Sequence, residues 1–116
     1  MRDGKYDNYV KKNSEVKSDF AGDGATRKVL SYGDNVMNVE VSFEKDAVGS
    51  LHTHSHEQIS YVVSGSFEYE LDGDKRIMTK GDTVYIAPNV LHGCKAPEES
   101  SVLLDTFSPI REDFLK

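Results

Sequence analysis

Three of the four histidines in the chain lie within five residues, at His52, His54 and His56. Successive side chains of a β-strand point to opposite faces, so His52 and His54 are expected to share a face, about 7 Å apart along the strand. Two imidazoles at that spacing can bind one metal ion. A pair of hydrogen-bonded structural histidines is the alternative. His56 lies in a predicted turn, and its side chain is expected to point outward.

Two further side chains complete the predicted ligand set. Gln58 has the same parity as His54 and begins the next predicted strand after a tight turn at 55–57. His92 follows a second strand and turn, which end at Asn89. Imidazole nitrogens and an amide oxygen suit Zn, Ni, Fe, Co or Mn without selecting among them. We therefore predict one divalent transition-metal ion on His52, His54, Gln58 and His92.

The C-terminal part of the chain carries a second group of candidate functional residues. Leu103, Asp105 and Phe107 alternate along a predicted strand and share one face. If that face points inward, Asp105 is a carboxyl buried near the metal and a candidate proton carrier. Arg111 can supply a fork for a substrate carboxylate. The structural alternatives are a latch between Asp105 and Arg111, and plain core packing by Phe107.

The elements that position these residues are predicted to be short strands. Turn residues separate segments in which apolar and polar residues alternate, a pattern typical of an antiparallel sandwich or barrel. Tyr61, Tyr69 and Tyr85 are interpreted as packing residues of this barrel. One short helix is predicted at 109–115, with Ser108 as N-cap and Pro109 as its first residue, ahead of residues 110–115. Strands are predicted over residues 27–31, 37–43, 51–54, 59–63, 66–71, 76–80, 83–86 and 101–107.

Length and composition indicate one domain with no need for disulfide bonds. The chain has 116 residues, a single cysteine and a net charge of −6, which disfavours nucleic-acid binding. No apolar run resembles a secretory signal or a membrane span, so a cytoplasmic location without a membrane partner is expected. Residues 1–24 are predicted to be an N-terminal arm, lying over the body or a partner subunit, or frayed. Residues 25–116 are predicted to form the domain.

Two segments resemble the paired motifs of the cupin family. The segment from Gly49 to Gly65, GSLHTHSHEQISYVVSG, resembles the first motif, and GDTVYIAPNVLHG, from Gly81 to Gly93, resembles the second. Gln58 stands where most cupins carry glutamate. The resemblance implies an all-β fold: a single-domain cupin, that is, a double-stranded β-helix or jelly-roll barrel, with a short C-terminal helical turn.

The C-terminal segment LLDTFSPIREDFL narrows the resemblance to small cupins of the KdgF type, pectin-degradation proteins that linearise unsaturated uronates. This resemblance implies catalytic roles for Asp105, Phe107 and Arg111. It also implies metal-dependent conversion of 4,5-unsaturated uronate monosaccharides to linear 5-keto-4-deoxyuronates. The expected partner is a small anionic sugar, without an organic cofactor. A homodimer is expected.

The neutral amide of Gln58 has a chemical consequence. Three imidazoles and an amide leave the charge of a divalent ion uncancelled, which favours an anionic ligand. Two other functions remain open for a cupin with such ligands. One is an Fe(II) dioxygenase, and the other is a non-enzymatic protein that binds a sugar or small acid.

Overall fold

The computed structural model of the chain describes residues 4–7 and 9–116. Most of these residues lie in strands, which confirms the predicted all-β class. Two short 3-10 helices, Asn13–Glu15 and Glu112–Leu115, lie near the ends. The strands of the described residues are β1 (Asp19–Phe20), β2 (Ala25–Tyr32), β3 (Met37–Phe43), β4 (Val48–His52), β5 (Glu57–Ser64), β6 (Ser66–Leu71), β7 (Asp74–Thr79), β8 (Thr83–Ile86), β9 (His92–Lys95) and β10 (Ser101–Ser108).

The strands form two antiparallel sheets that face each other, as in a jelly-roll barrel. One sheet has the order β1-β2-β3-β10-β5-β8, and the other has the order β4-β9-β6-β7. Phe43 of the first sheet meets Phe67 of the second edge-to-face, with ring centroids 5.1 Å apart. The topology places the two functional groups on facing sheets, because β4 and β9 carry His52 and His92 while β5 and β10 carry Gln58 and Asp105.

The burial of β5 and β10 shows how one barrel holds both a core and a polar site. Both strands alternate between buried and more exposed residues, but in β5 the apolar Ile59, Tyr61 and Val63 lie on the more exposed face. Their inward positions are apolar at Val62 and Leu103 but polar at Gln58, Ser60 and Asp105. Burying a polar group costs free energy unless it finds a partner. The polar end of the barrel interior therefore calls for a hydrogen-bond network or a ligand.

A close contact at Gly65 sets the turn between β5 and β6. Its φ angle is +71°, and a Cβ atom there would lie 2.1 Å from Oγ of Ser101. Glycine is the residue that accepts such a backbone angle without steric cost. Gly65 therefore lets β5 reverse into the facing sheet.

The structure corrects the prediction for the C-terminal helix. Ser108 is the last residue of β10, where it pairs with Glu57, and so it does not cap a helix. The turn that follows is a 3-10 helix over Glu112–Leu115, preceded by Arg111 and without a side-chain cap. Pairing with β5 extends the strand one residue further than its alternation indicates. The predicted helical turn exists, but it is shorter and begins later.

The described part of the N-terminal arm lies along β2. Strand β1 pairs with β2, and Nζ of Lys28 donates to the backbone oxygen of Asn13 at 2.9 Å. Oγ of Ser31 donates to the backbone oxygen of Tyr9 at 2.9 Å. Residues 1–3 and 8 of the predicted arm lie outside the described residues. The structure describes one chain, so the homodimer stays a prediction.

Among the residues that the structure describes, no helix has the length and apolar character needed to cross a membrane.

Candidate metal centre and active site

The three candidate histidine ligands meet at one end of the barrel. His52 ends β4 and pairs with His92, the first residue of β9, while His54 lies in the turn before β5. One ring nitrogen from each histidine lies within 4.8 Å of the other two. The ring centroids of His52 and His92 are 4.3 Å apart, and those of His54 and His92 are 4.8 Å apart. These three histidines form a group that can bind one metal ion.

Gly93 allows this approach of β9 to β4. A Cβ atom at Gly93 would lie 2.7 Å from the backbone oxygen of Gly49 and 3.1 Å from the backbone nitrogen of Leu51. Any larger residue would push the two strands apart. The glycine therefore keeps His92 beside His52.

Backbone carbonyls fix the tautomer of all three histidines. Nδ1 of His52 lies 2.8 Å from the oxygen of Ser50, and Nδ1 of His92 lies 2.9 Å from that of Val90. Nδ1 of His54 lies 3.0 Å from the oxygen of His56. A carbonyl oxygen only accepts, so each Nδ1 carries the proton and donates it. In the neutral ring, each Nε2 is left with a lone pair, the form in which histidine binds metals.

Gln58 adds an oxygen to this group. Its Nε2 donates to Oγ of Ser60 at 3.0 Å, which turns Oε1 toward Nε2 of His54 at 2.9 Å. With Nδ1 of His54 protonated, two lone pairs face each other. Burial lowers the pKa of His54, which disfavours a proton between them. A cation bound by both atoms satisfies this arrangement.

His92 supplies the second test of the fit. The side chain is 2% exposed, and its Nε2 is buried without a hydrogen-bond partner among the described residues. A buried polar atom left unpaired costs about 1–3 kcal/mol. Burial, with the charges of His52, His54 and Arg111, lowers the pKa of His92 to about 4. The imidazole is therefore neutral near pH 7, and the four side chains fit a divalent ion.

Asp105 lies inside the barrel in a hydrogen-bonded network with Ser60. The carboxyl is 7% exposed and accepts from Oγ of Ser60 at 2.6 Å. The hydroxyl of Tyr69 lies 3.2 Å from the same Oγ. Since the single proton of Ser60 goes to Asp105, Ser60 accepts from both Gln58 and Tyr69. This network connects Asp105 to the amide that faces His54.

The environment of Asp105 suits a group that exchanges protons. Burial raises the pKa of Asp105 to about 6, against hydrogen bonds from Ser60 and Gln58 and the charge of Arg111, which lower it. A carboxyl with a pKa near the working pH is effective as an acid or a base. Burial also raises the pKa of Tyr69, so that its phenol stays protonated.

Phe107 and Arg111 lie between this network and the C-terminal turn. Phe107 is buried, and its ring is 5.8 Å from that of His54 in an edge-to-face contact. The guanidinium carbon of Arg111 lies 5.0 Å from the centre of the Phe107 ring. Arg111 forms its ion pair with Asp113, at 3.0 Å. The alternative latch between Asp105 and Arg111 is therefore wrong.

A cavity of about 180 Å³ joins these groups. Its volume is below the ~300–1,000 Å³ of sites for drug-sized ligands, so it suits a ligand as small as one sugar ring. Asp105 is the sole carboxylate among the described residues that line it. Its lining includes His52, Gln58, His92, Asp105, Phe107 and Arg111.

Four residues of this cavity region were not identified from the sequence. Ser60 shares the inward parity of Gln58, which is a signal that could have found it. Arg27 lies two residues after buried Ala25 and is therefore expected on the same inward face of its strand. A single charged residue on that face does not by itself predict a binding site. Phe114 gave no signal. The packing interpretation is confirmed for Tyr69, which lies in the apolar core, although its hydroxyl also belongs to the Ser60 network. It is wrong for Tyr61 and Tyr85, which are exposed.

The chain matches the model of the cupin domain over residues 39–107. It is also 50% identical, over 104 residues, to the pectin degradation protein KdgF of Dickeya dadantii strain 3937. That alignment covers 89% of this chain and 94% of the relative. The chain is a cupin of the KdgF type.

Solved structures agree with this assignment of the cupin. KdgF from Halomonas sp. superposes with a TM-score of 0.88 at 39% identity, covering 90% of this chain and 96% of that one. An RmlC-like cupin from Shewanella frigidimarina NCIMB 400 superposes with a TM-score of 0.87 at 38% identity, covering 91% and 95% of the two chains. The cupin fold predicted from the two motifs is confirmed.

Proposed function

We propose that this cupin converts 4,5-unsaturated uronate monosaccharides into linear 5-keto-4-deoxyuronates. The observation that carries the proposal is the hydrogen-bonded network through Gln58, Ser60 and Asp105. It joins a buried carboxyl of raised pKa to a group of three histidines, of which His52 and His92 line the same small cavity as the carboxyl. The 50% identity to a pectin degradation protein supports the same substrate class.

The reaction needs proton transfer but no oxidant. The hemiacetal hydroxyl at C1 loses its proton, the bond between C1 and the ring oxygen breaks, and C1 becomes an aldehyde. The ring oxygen takes up a proton as it leaves and becomes the enol oxygen on C5. A proton added at C4, with loss of the enol proton, gives the 5-keto group. Substrate and product are isomers, so atoms and electrons balance.

The side chains of the cavity match these steps. Asp105 takes a proton from a substrate hydroxyl and returns one to C4. Its carboxyl is held in place by the hydrogen bond from Ser60. Arg111 orients the substrate's acid group, and Phe107 packs against the sugar. His52, His54, Gln58 and His92 would hold a divalent ion, which supplies positive charge to substrate oxygens and polarises the enol ether.

Ultraviolet absorbance of the conjugated double bond tests the proposal. Purified protein is expected to accelerate the loss of absorbance of unsaturated galacturonate, or of the monomer from alginate, above the spontaneous rate. Proton NMR of the product should show the open-chain keto acid. The rate should be the same in air and under nitrogen, because isomerisation consumes no oxygen. A rate no faster than that in buffer for every uronate, or a dependence on oxygen, would contradict the proposal.

A further inference from the structure

A second arginine lines the cavity from the opposite end of the chain. Arg27 lies on β2, where it pairs with Val41 of β3, and both side chains line the cavity with His52 and Asp105. Its neighbours of the same parity, Ala25 and Val29, pack into the two apolar clusters. Arg27 itself is only partly buried, and its Nη2 reaches the exposed backbone oxygen of Phe20. Its charge therefore lies at the open side of the cavity, where it can meet an anion that enters from solvent.

The structure gives Arg27 no such anion. Among residues 4–7 and 9–116, no carboxylate forms an ion pair with it. Its hydrogen bond runs from Nη2 to the backbone oxygen of Phe20, at 3.3 Å. By contrast, the Nε and Nη2 atoms of Arg111 both donate to Asp113, at 3.1 and 3.0 Å. Asp19 lies opposite Arg27 in β1 but forms no ion pair with it, so Arg27 is the one of the two cavity guanidinium groups that has no ion pair among the described residues.

The Phe114 ring contacts the guanidinium groups of both arginines. The guanidinium carbons of Arg27 and Arg111 lie 4.1 and 4.2 Å from the centre of the Phe114 ring. A guanidinium group stacks favourably on an aromatic ring, which orients its donors. The Phe114 ring therefore holds both guanidinium groups beside the cavity that they line.

We propose that Arg27 binds the carboxylate of the sugar substrate, together with Arg111. This inference rests on the proposed function for the identity of the substrate, but the site itself requires only a small carboxylate. Among the described residues, Arg27 forms no hydrogen bond or ion pair with any of the four proposed metal ligands. It therefore acts as a substrate-positioning residue that selects uronates over neutral sugars.

Binding of two matched sugars tests this role without turnover. Galacturonate and galactose differ only in a carboxylate or a hydroxymethyl group at C6. Calorimetric titration of the metal-loaded, full-length protein should show galacturonate binding about 10- to 100-fold weaker in Arg27→Gln than in wild type, the range of a charge-assisted contact. Galactose binding should be weak and equal in both, and metal content should not change.

Arg76→Gln is the matched control. Arg76 lies on β7 with an exposed side chain paired to Asp74, so this variant should bind galacturonate as wild type does. Arg27→Lys keeps the charge but loses the fork, and its affinity should fall between those of wild type and Arg27→Gln. It also carries the comparison if Arg27→Gln fails to fold. With an unsaturated uronate, KM of Arg27→Gln should rise about 10- to 100-fold while kcat stays within about threefold.

Equal galacturonate affinity in wild type and both Arg27 variants would overturn the inference, as would a wild-type protein that does not bind galacturonate. The two proposals can fail separately. A wild-type protein that converts no unsaturated uronate but needs Arg27 for galacturonate would refute the reaction and support the carboxylate site. Full turnover with an unchanged KM in Arg27→Gln would refute the role of Arg27 alone.

Discussion

Asp105→Asn is expected to lower kcat for uronate linearisation at least about 100-fold, the usual contribution of a general acid–base group. Asparagine keeps the shape of the side chain, and its amide oxygen can still accept the hydrogen bond that Ser60 donates to Asp105 at 2.6 Å in the wild-type protein. It cannot take up or release a proton near neutral pH. The loss should therefore fall on kcat, with the metal content of the protein unchanged. Absorbance kinetics and elemental analysis of the same samples measure both quantities.

The control for this variant is Asp74→Asn. Asp74 lies on β7 and is exposed beside Arg76, so the same chemical change there should leave kcat unaltered. The metal-free Asp105→Asn protein should unfold no more readily than wild type, because burial penalises the charged form of Asp105. A fully metal-loaded Asp105→Asn protein with kcat within about threefold of wild type would refute Asp105 as the proton carrier.

His92→Ala is expected to weaken metal binding by more than about 100-fold and to abolish activity at low metal concentration. Loss of a group that only supports a metal ligand costs about 10- to 100-fold in affinity, so loss of a ligand should cost more. His92 is the most buried of the three histidines, and its Nε2 has no other partner among the described residues. Competition with a chromophoric chelator measures the affinity of each variant.

His56→Ala is the control for His92→Ala, because it removes a nearby histidine that is not a proposed metal ligand. His56 lies outside the group of three, and it is the backbone oxygen of this residue that accepts from His54. The prediction that His56 points outward is wrong, because its ring is half-buried edge-on to the rings of His54 and Phe107. Its removal still leaves the backbone hydrogen bond in place, and the variant should retain its metal. Equal metal affinity in His92→Ala and wild type would show that the ion, if bound, lies elsewhere.

The sequence predicts most of this barrel because alternation is a local signal. Strands over 37–43 and 66–71 appear with the predicted bounds, and the face shared by Leu103, Asp105 and Phe107 is buried. Strand β9 was missed because His92–Lys95 is short, contains a glycine and has no alternating pattern. It is a strand because β4 and β6 pair with it from both sides. Such pairing depends on distant residues and leaves no local pattern.

The residues of the candidate site could likewise be predicted from the sequence only in part. His52, His54 and His92 could be grouped by type and motif, and the structure brings them together. The predicted strand over 51–54 is wrong at its end, because β4 stops at His52 and His54 joins the group from the turn. The backbone carbonyls that fix their tautomers depend on local backbone conformation, which residue types do not specify. The same holds for the pair formed by Arg111 and Asp113, and for Arg27, whose role depends on a sheet neighbour and on Phe114.

The most direct test of the account is a metal titration of stripped protein in which bound metal and uronate conversion are measured on the same samples. Protein treated with chelator should convert unsaturated uronate at the spontaneous rate. Adding back Zn²⁺, Ni²⁺, Co²⁺, Mn²⁺ or Fe²⁺ singly should restore conversion with at least one ion, and the rate should stop rising at one bound ion per chain. Full conversion by metal-free protein, or none with any ion despite one bound per chain, would contradict the account.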